Sequence, residues 1–183
     1  IVYQAHHDPL TNLINRQHII SLLREMLIEP IESPLVVISI NILDFRIVND
    51  TFGHFVGDRC LQQIGQRLFE LPLANCQSAR LGGDEFALLT GPDLPADRIF
   101  EFASECVRAL SLPIQHDEIS IRCGASAGAS RITELTEDPG ELLKTADRAL
   151  YAAKSDGRGR ARIYDSELHE HFEARRDVEI ALS

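Results

Sequence analysis

Two β-rich runs meet at paired glycines in Arg80-Leu81-Gly82-Gly83-Asp84-Glu85-Phe86-Ala87-Leu88-Leu89, and this junction restricts the fold more than any other segment. Paired glycines reach positive φ without steric cost and so close a hairpin, which makes the two runs antiparallel neighbours in a sheet. A third run, Val36 to Ile42, is β-branched and apolar enough to be buried on at least one face. Helical periodicity fills much of the remainder. Asn15 caps a helix carrying Ile19, Ile20, Leu22, Leu23, Met26 and Leu27, which ends before Pro30. Val56 to Leu71 is a second helix, and Leu94 to Leu110 a third, opened by Pro95 near its first turn. Ile119 to Ala129 alternates as a half-buried strand does. Asp138-Pro139 starts a fourth helix that Gly157 stops. A short strand, Arg162-Ile163-Tyr164, precedes a charged helix from Ser166 to Ala181. Helices interleaved with hairpins predict an α/β sandwich of the α+β kind, with a mostly antiparallel central sheet flanked by helices rather than a doubly wound parallel one.

The 183 residues, 44% apolar and 25% charged, suffice for one domain with a full core. The longest apolar run, Leu35 to Ile40, falls far short of the roughly 20 residues a membrane helix needs. No signal segment opens the chain, so a cytoplasmic domain without membrane contact is expected. The start at Ile1-Val2-Tyr3 leads us to expect a piece excised from a longer polypeptide. Cys60, Cys76, Cys106 and Cys123 have no metal-ligand spacing and read as reduced thiols, mostly in the core. A formal charge of -10 argues against nucleic-acid binding, which needs clustered Lys and Arg. No G-x-x-x-x-G-K-[ST], G-x-S-x-G or H-E-x-x-H string occurs, which removes P-loop, hydrolase-elbow and zincin readings. His6-His7-Asp8 reads as a surface entry segment, and His169 and His171 as solvated positions on the last helix.

The hairpin carries the chemistry. Glycines at its tip remove side chains that would obstruct a ligand, and Asp84 and Glu85 then border the space above it. Gly-Gly-Asp alone is also common in ordinary turns. Here it stands among four further strings: Asp8-Pro9-Leu10-Thr11-Asn12-Leu13-Ile14-Asn15-Arg16; Phe45-Arg46-Ile47-Val48-Asn49-Asp50 with Gly53-His54 and Gly57-Asp58; Ala146-Asp147-Arg148-Ala149-Leu150-Tyr151-Ala152-Ala153-Lys154; and Gly157-Arg158. In this order and spacing, residues 6–165 resemble the GGDEF family of diguanylate cyclases, whose fold is like that of nucleotidyl cyclases and polymerase palms.

The resemblance implies a GTP site. Asn49 and Asp58 would bond the guanine base, a carboxylate accepting from N1–H and N2–H₂ and an amide offering both donor and acceptor. Lys154 and Arg158 would meet the β- and γ-phosphates, with Arg46 where the family commonly has Lys. Phe45, Gly82 and Gly83 complete the nucleotide-binding set. Asp84 and Glu85 would serve catalysis and hold Mg²⁺, helped by the backbone carbonyl of Ile42 and, weakly, by Asn41. The family strand before this region ends in D-x-D, whereas this chain has Asn41-Ile42-Leu43, so both carboxylates are missing. Asp44 lies one residue out of register and serves only if the strand ends in a turn or bulge. The family's R-x-x-D feedback site falls on Leu73 and Cys76, so product inhibition is not expected.

Two functions follow from the resemblance. The preferred one is a GTP-binding regulatory module of cyclic di-GMP signalling with weak or no cyclase activity, comprising residues 1–165. Residues 166–183 would then be a helical linker to an EAL phosphodiesterase domain that the module regulates, with a sensor domain on the N-terminal side. The alternative is an active cyclase that joins two GTP molecules across a homodimer and releases pyrophosphate.

Overall fold

The computed structural model describes residues 5–28, 35–73, 75–91, 93–131 and 138–181, with side chains through 176. Pro30 and the opening Ile1-Val2-Tyr3 lie outside the described residues. A six-stranded sheet forms the centre. In chain order its strands are β1 (Ile14–Asn15), β2 (Val36–Leu43), β3 (Gln77–Gly82), β4 (Glu85–Thr90), β7 (Gly124–Arg131) and β8 (Ala161–Ile163). They lie in the order β1-β3-β4-β2-β7-β8. The four inner strands pair antiparallel, and the two edge strands β1 and β8 pair parallel. The mostly antiparallel sheet read from the hairpin is therefore present, with parallel edges added.

All eight residues of β2 are buried, because helices cover both faces of the central strand. Val36, Ile38, Ile40 and Ile42 point to a cluster shared with α3 (His54–Phe69) and α4 (Ile99–Leu110). Val37, one residue out of phase, points to the opposite cluster with α1 (Arg16–Met26) and α5 (Pro139–Ser155). Strand alternation thus assigns Asn41 and Leu43 to the α1/α5 face. The caps expected from sequence are formed. Asn15 accepts from the His18 N–H at 2.9 Å, and Asp138 accepts from the Gly140 N–H at 3.0 Å.

Several boundaries differ from the expectation, among them the helix expected over Val56 to Leu71, which spans His54–Phe69. The segment after β2 is itself a helix, α2 (Phe45–Phe52), which Gly53 separates from α3. Two turns are too few to signal a helix in sequence, and α2 is held by burial of Phe45 and Val48. Pro95 opens a 3₁₀ turn, Ala96–Arg98, and α4 begins only at Ile99. The single strand expected over Ile119 to Ala129 is two. Ile119–Ile121 (β6) pairs with Ile114–His116 (β5) in a separate hairpin, and β7 starts at Gly124. The last strand is Ala161–Ile163 rather than 162–164. Beyond it, α6 (Ser166–Ala181) is capped by Asp165, whose carboxylate accepts from the Leu168 N–H at 2.9 Å. Its Leu168 is buried, and its Phe172 meets Tyr151 of α5 edge-to-face at 6.4 Å.

Cys60, Cys106 and Cys123 are buried and Cys76 is half-buried, all as free thiols. Among the described residues no helix is long and apolar enough to cross a membrane.

Candidate functional site

The β3–β4 hairpin tip turns at Gly82 (φ 139°) and Gly83 (φ 53°), and a bulge shifts the register between Arg80 and Gly82. A Cβ at either glycine would meet no atom within 4 Å. Glycine is therefore demanded by backbone conformation, and the space above the tip is open. Arg80 fixes the tip from below. Its Nε and Nη2 donate to the Gly83 carbonyl at 3.1 and 2.8 Å, while Nη1 donates to both carboxylate oxygens of Asp8 at 3.1 and 3.2 Å. Asp8 also accepts from the Thr11 N–H and hydroxyl at 2.8 and 2.7 Å. Burial would raise the Asp8 carboxyl, but the Thr11 bonds and the Arg80 guanidinium outweigh it and hold its pKa below 3.8. Arg16 adds a bond to the Leu81 carbonyl at 3.3 Å and lies 3.8 Å from Glu85. The sequence exposes Asp8, Arg16 and Arg80 only as members of motifs. Their joint role in holding the turn depends on contacts between segments more than 60 residues apart.

The end of β2 lies beside this tip. Asn41 is opposite Glu85 in the ladder, and the Ile42 N–H donates to the Asp84 carbonyl at 3.0 Å. The buried Asn41 amide also reaches the Asp84 carbonyl, at 3.5 Å. Leu43 is buried opposite Gly124, where a Cβ would come within 3.2 Å of its Cδ1. Asp44 then turns the chain in left-handed conformation (φ 58°) and precedes α2. The strand does end in a turn, but the Asp44 carboxylate bonds Arg158 Nη2 at 2.9 Å.

Asn49 on α2 is partly buried and Asp58 on α3 exposed. A Cβ on Gly57 would lie 1.9 Å from the Asn49 Oδ1 and 3.2 Å from the Phe45 ring. Glycine at 57 thus permits Asn49 to sit against α3. Phe45 is a core residue at 8% exposure, packed at the start of α2. Arg46 is 92% exposed and lies 3.5 Å from Asp50. Lys154 is in the last turn of α5, and Arg158 in the loop that follows; the Arg158 N–H donates to the Lys154 carbonyl at 3.2 Å.

The donor set for a cation is short. Asp84 is half-buried and Glu85 exposed, and among the described residues no group of three or more His, Cys, Asp or Glu could hold a metal. One Mg²⁺ completed by nucleotide phosphates fits two carboxylates and a carbonyl, because this ion needs only one or two protein carboxylates. A second ion lacks ligands where Asn41 and Leu43 stand. Leu73 and Cys76 pack against the core, and burial pushes the Cys76 thiol up to about 11. The histidines join no site: His6 stacks on His18 at 4.3 Å, and His169 bonds Tyr164 at 3.0 Å. Concavities of about 520 and 320 Å³ lie between α5 and α6, away from the hairpin.

A mixed sheet flanked by helices, whose central strand ends beside an acidic glycine hairpin, places the chain in the α/β-sandwich class. The description "Diguanylate cyclase, GGDEF domain" matches residues 5–160, and the chain belongs to that family, which acts in cyclic di-GMP signalling. An uncharacterized signaling protein of Caulobacter vibrioides is 35% identical over 97% of this chain and 22% of its own length. A bifunctional diguanylate cyclase/cyclic di-GMP phosphodiesterase, MucR of Pseudomonas aeruginosa, is 32% identical over 92% of this chain and 25% of its own. The chain thus spans about a quarter of these relatives. The solved GGDEF domain of TpbB from Pseudomonas aeruginosa superposes with a TM-score of 0.83 and 30% identity, covering 92% of this chain and 99% of that one.

Proposed function

We propose that this chain is a GTP-binding regulatory module with little or no cyclase turnover. The observation that carries the reading is the end of β2. Asn41 directs its amide to the Asp84 carbonyl and Leu43 is packed on Gly124, where the family pattern has carboxylates. Asn49 and Asp58 would read guanine, which matches an amide donor–acceptor and a carboxylate acceptor. Lys154, Arg158 and Arg46 would neutralise the phosphates, and Gly82 and Gly83 would let them approach the hairpin backbone. The backbone N–H groups at the start of α2, beside Phe45, would also meet the phosphates. Asp84, Glu85 and the Ile42 carbonyl would hold Mg²⁺, which when bound offsets phosphate charge and polarises the α-phosphorus. Asp84 is the group on this chain best placed to accept a proton from an attacking 3′-hydroxyl. Orienting that hydroxyl and the leaving pyrophosphate together calls for the carboxylates that positions 41 and 43 lack.

The combined activities in MucR's name support a tandem arrangement here, in a domain we read as cytoplasmic. Residues 1–165 would be the module, 166–183 the connection to a phosphodiesterase domain, and an N-terminal sensor would lie upstream. The intact Gly82-Gly83-Asp84-Glu85 tip favours the second reading, an active cyclase working as a homodimer. Calorimetric titration with GTP and Mg²⁺, followed by chromatography of the same sample for cyclic di-GMP, separates them. Binding without product supports the module, steady product formation supports the cyclase, and absence of binding rejects both.

A further inference from the structure

The turn after β2 and the loop after α5 are joined across the site by one ion pair. Arg158 Nη2 donates to Asp44 Oδ1 at 2.9 Å, between residues 114 apart in the chain. Both residues have positive φ, 58° at Asp44 and 57° at Arg158, a region that non-glycine residues enter at a cost of about 1 kcal/mol or more each. Such conformations persist only where neighbours impose them, and the neighbours are present. The Asp44 carbonyl accepts from the Ile47 N–H at 2.9 Å. On the other side, the Arg158 N–H is bonded to Lys154, the Gly159 N–H donates to Ser126 Oγ at 2.9 Å, and the Arg160 carbonyl accepts from the Ala127 N–H at 2.9 Å. The two charges are thus brought together by fixed backbone on both sides.

We propose that Asp44 is a built-in competitor for the phosphate-binding cation: its carboxylate holds Arg158 where a phosphate oxygen would bind, and a triphosphate must displace it. This rests on reading Lys154 and Arg158 as phosphate ligands. Carboxylate and phosphate present equivalent acceptors to a guanidinium fork, so they exclude each other. Displacement has two costs. The first is loss of the pair itself, which is small because the side chains are 54% and 58% exposed. The second is the carboxylate left facing a polyanion. A nucleotide arriving with a divalent cation suffers less from the second cost, so Asp44 makes the pocket favour metal-bound over free triphosphate.

The test is calorimetric GTP binding, in EDTA and then in Mg²⁺, for wild type, Asp44→Asn, Arg158→Ala and the double variant, with melting temperature as a control for folding. Asparagine tolerates the left-handed backbone at 44, so the substitution removes charge without adding strain. Asp44→Asn is expected to bind metal-free GTP roughly three- to ten-fold tighter. The gain shrinks in Mg²⁺ and shrinks again, without vanishing, in the Arg158→Ala background, where only the repulsion between Asp44 and the phosphates remains. Unchanged or weaker binding by Asp44→Asn overturns the proposal, as does a gain that persists undiminished without Arg158. No GTP binding by any folded variant rejects the GTP pocket itself, a result distinct from a wild type that binds and an Asp44→Asn variant that does not respond.

Discussion

Replacing Arg80 by alanine removes the clamp under the glycine turn, and the loss can be worked from the structure. The guanidinium makes two bonds to the Gly83 carbonyl and two to Asp8, and the side chains of the ion pair are only 13% and 17% exposed. Truncation leaves Asp8 with its Thr11 bonds but without its counter-charge. Hydrogen bonds to charged groups contribute about 1.5–3 kcal/mol, and breaking a buried pair costs about 3–5. Residual exposure and the retained Thr11 bonds place the total near 3 kcal/mol. In urea the midpoint should fall with an unchanged slope, and melting should drop by about 6–12 °C for a chain of this size. Asp8→Asn should cost less, and the double variant should reveal a coupling of about 1–2 kcal/mol. The Asp8 carboxyl is lowered from 3.8, so its stabilisation is fully present above that value and is lost as pH falls through the lowered folded value. The deficit of Asp8→Asn relative to wild type should therefore be constant from about pH 7 to 5 and close only below about 4. An Arg80→Ala loss under about 0.5 kcal/mol, or no coupling to Asp8, would refute the clamp.

Three further outcomes follow from particular contacts. A Cβ on Gly128 would lie 2.0 Å from the Leu150 N and 2.3 Å from the Ala146 carbonyl oxygen; because helix backbone cannot yield, Gly128→Ala should lose about 3 kcal/mol or more in chemical denaturation, or fail to fold. Gly57→Ala meets the end of the Asn49 side chain and, at 3.2 Å, the edge of the Phe45 ring rather than backbone, so calorimetry should find GTP affinity reduced about ten-fold while stability changes by about 1 kcal/mol. Among the described residues the buried Ser39 hydroxyl has no hydrogen-bond partner, and Ser39→Ala should be neutral or raise stability by up to about 1 kcal/mol, read from the urea midpoint.

The elements that carry their own local signal were legible in the chain. Apolar spacing at 3.6 residues, the caps at Asn15 and Asp138, and the paired glycines each act through neighbours a few residues away. The helix over 16–26, the helix over 139–155 and the β3–β4 hairpin could therefore be read without coordinates. The glycine hairpin and the flanking motifs likewise disclosed the family. What sequence could not supply was whatever depends on distant segments meeting. The eight-residue α2 is stabilised by burial against α3 rather than by its own propensity, and β7 begins at Gly124 because only there does the chain reach the central strand. Asp44 could be placed out of register with the missing carboxylates, yet its partner could not be foreseen. The Asp44 turn is held by the Ile47 N–H of α2 and the Arg158 loop by bonds of Gly159 and Arg160 to β7, and the pair forms only when the sheet and α5 are assembled. Local chemistry in the sequence determined which groups this chain can offer a nucleotide, and tertiary packing decided which of them face one another, because charge and hydrogen-bond complementarity act over a few ångströms irrespective of distance along the chain.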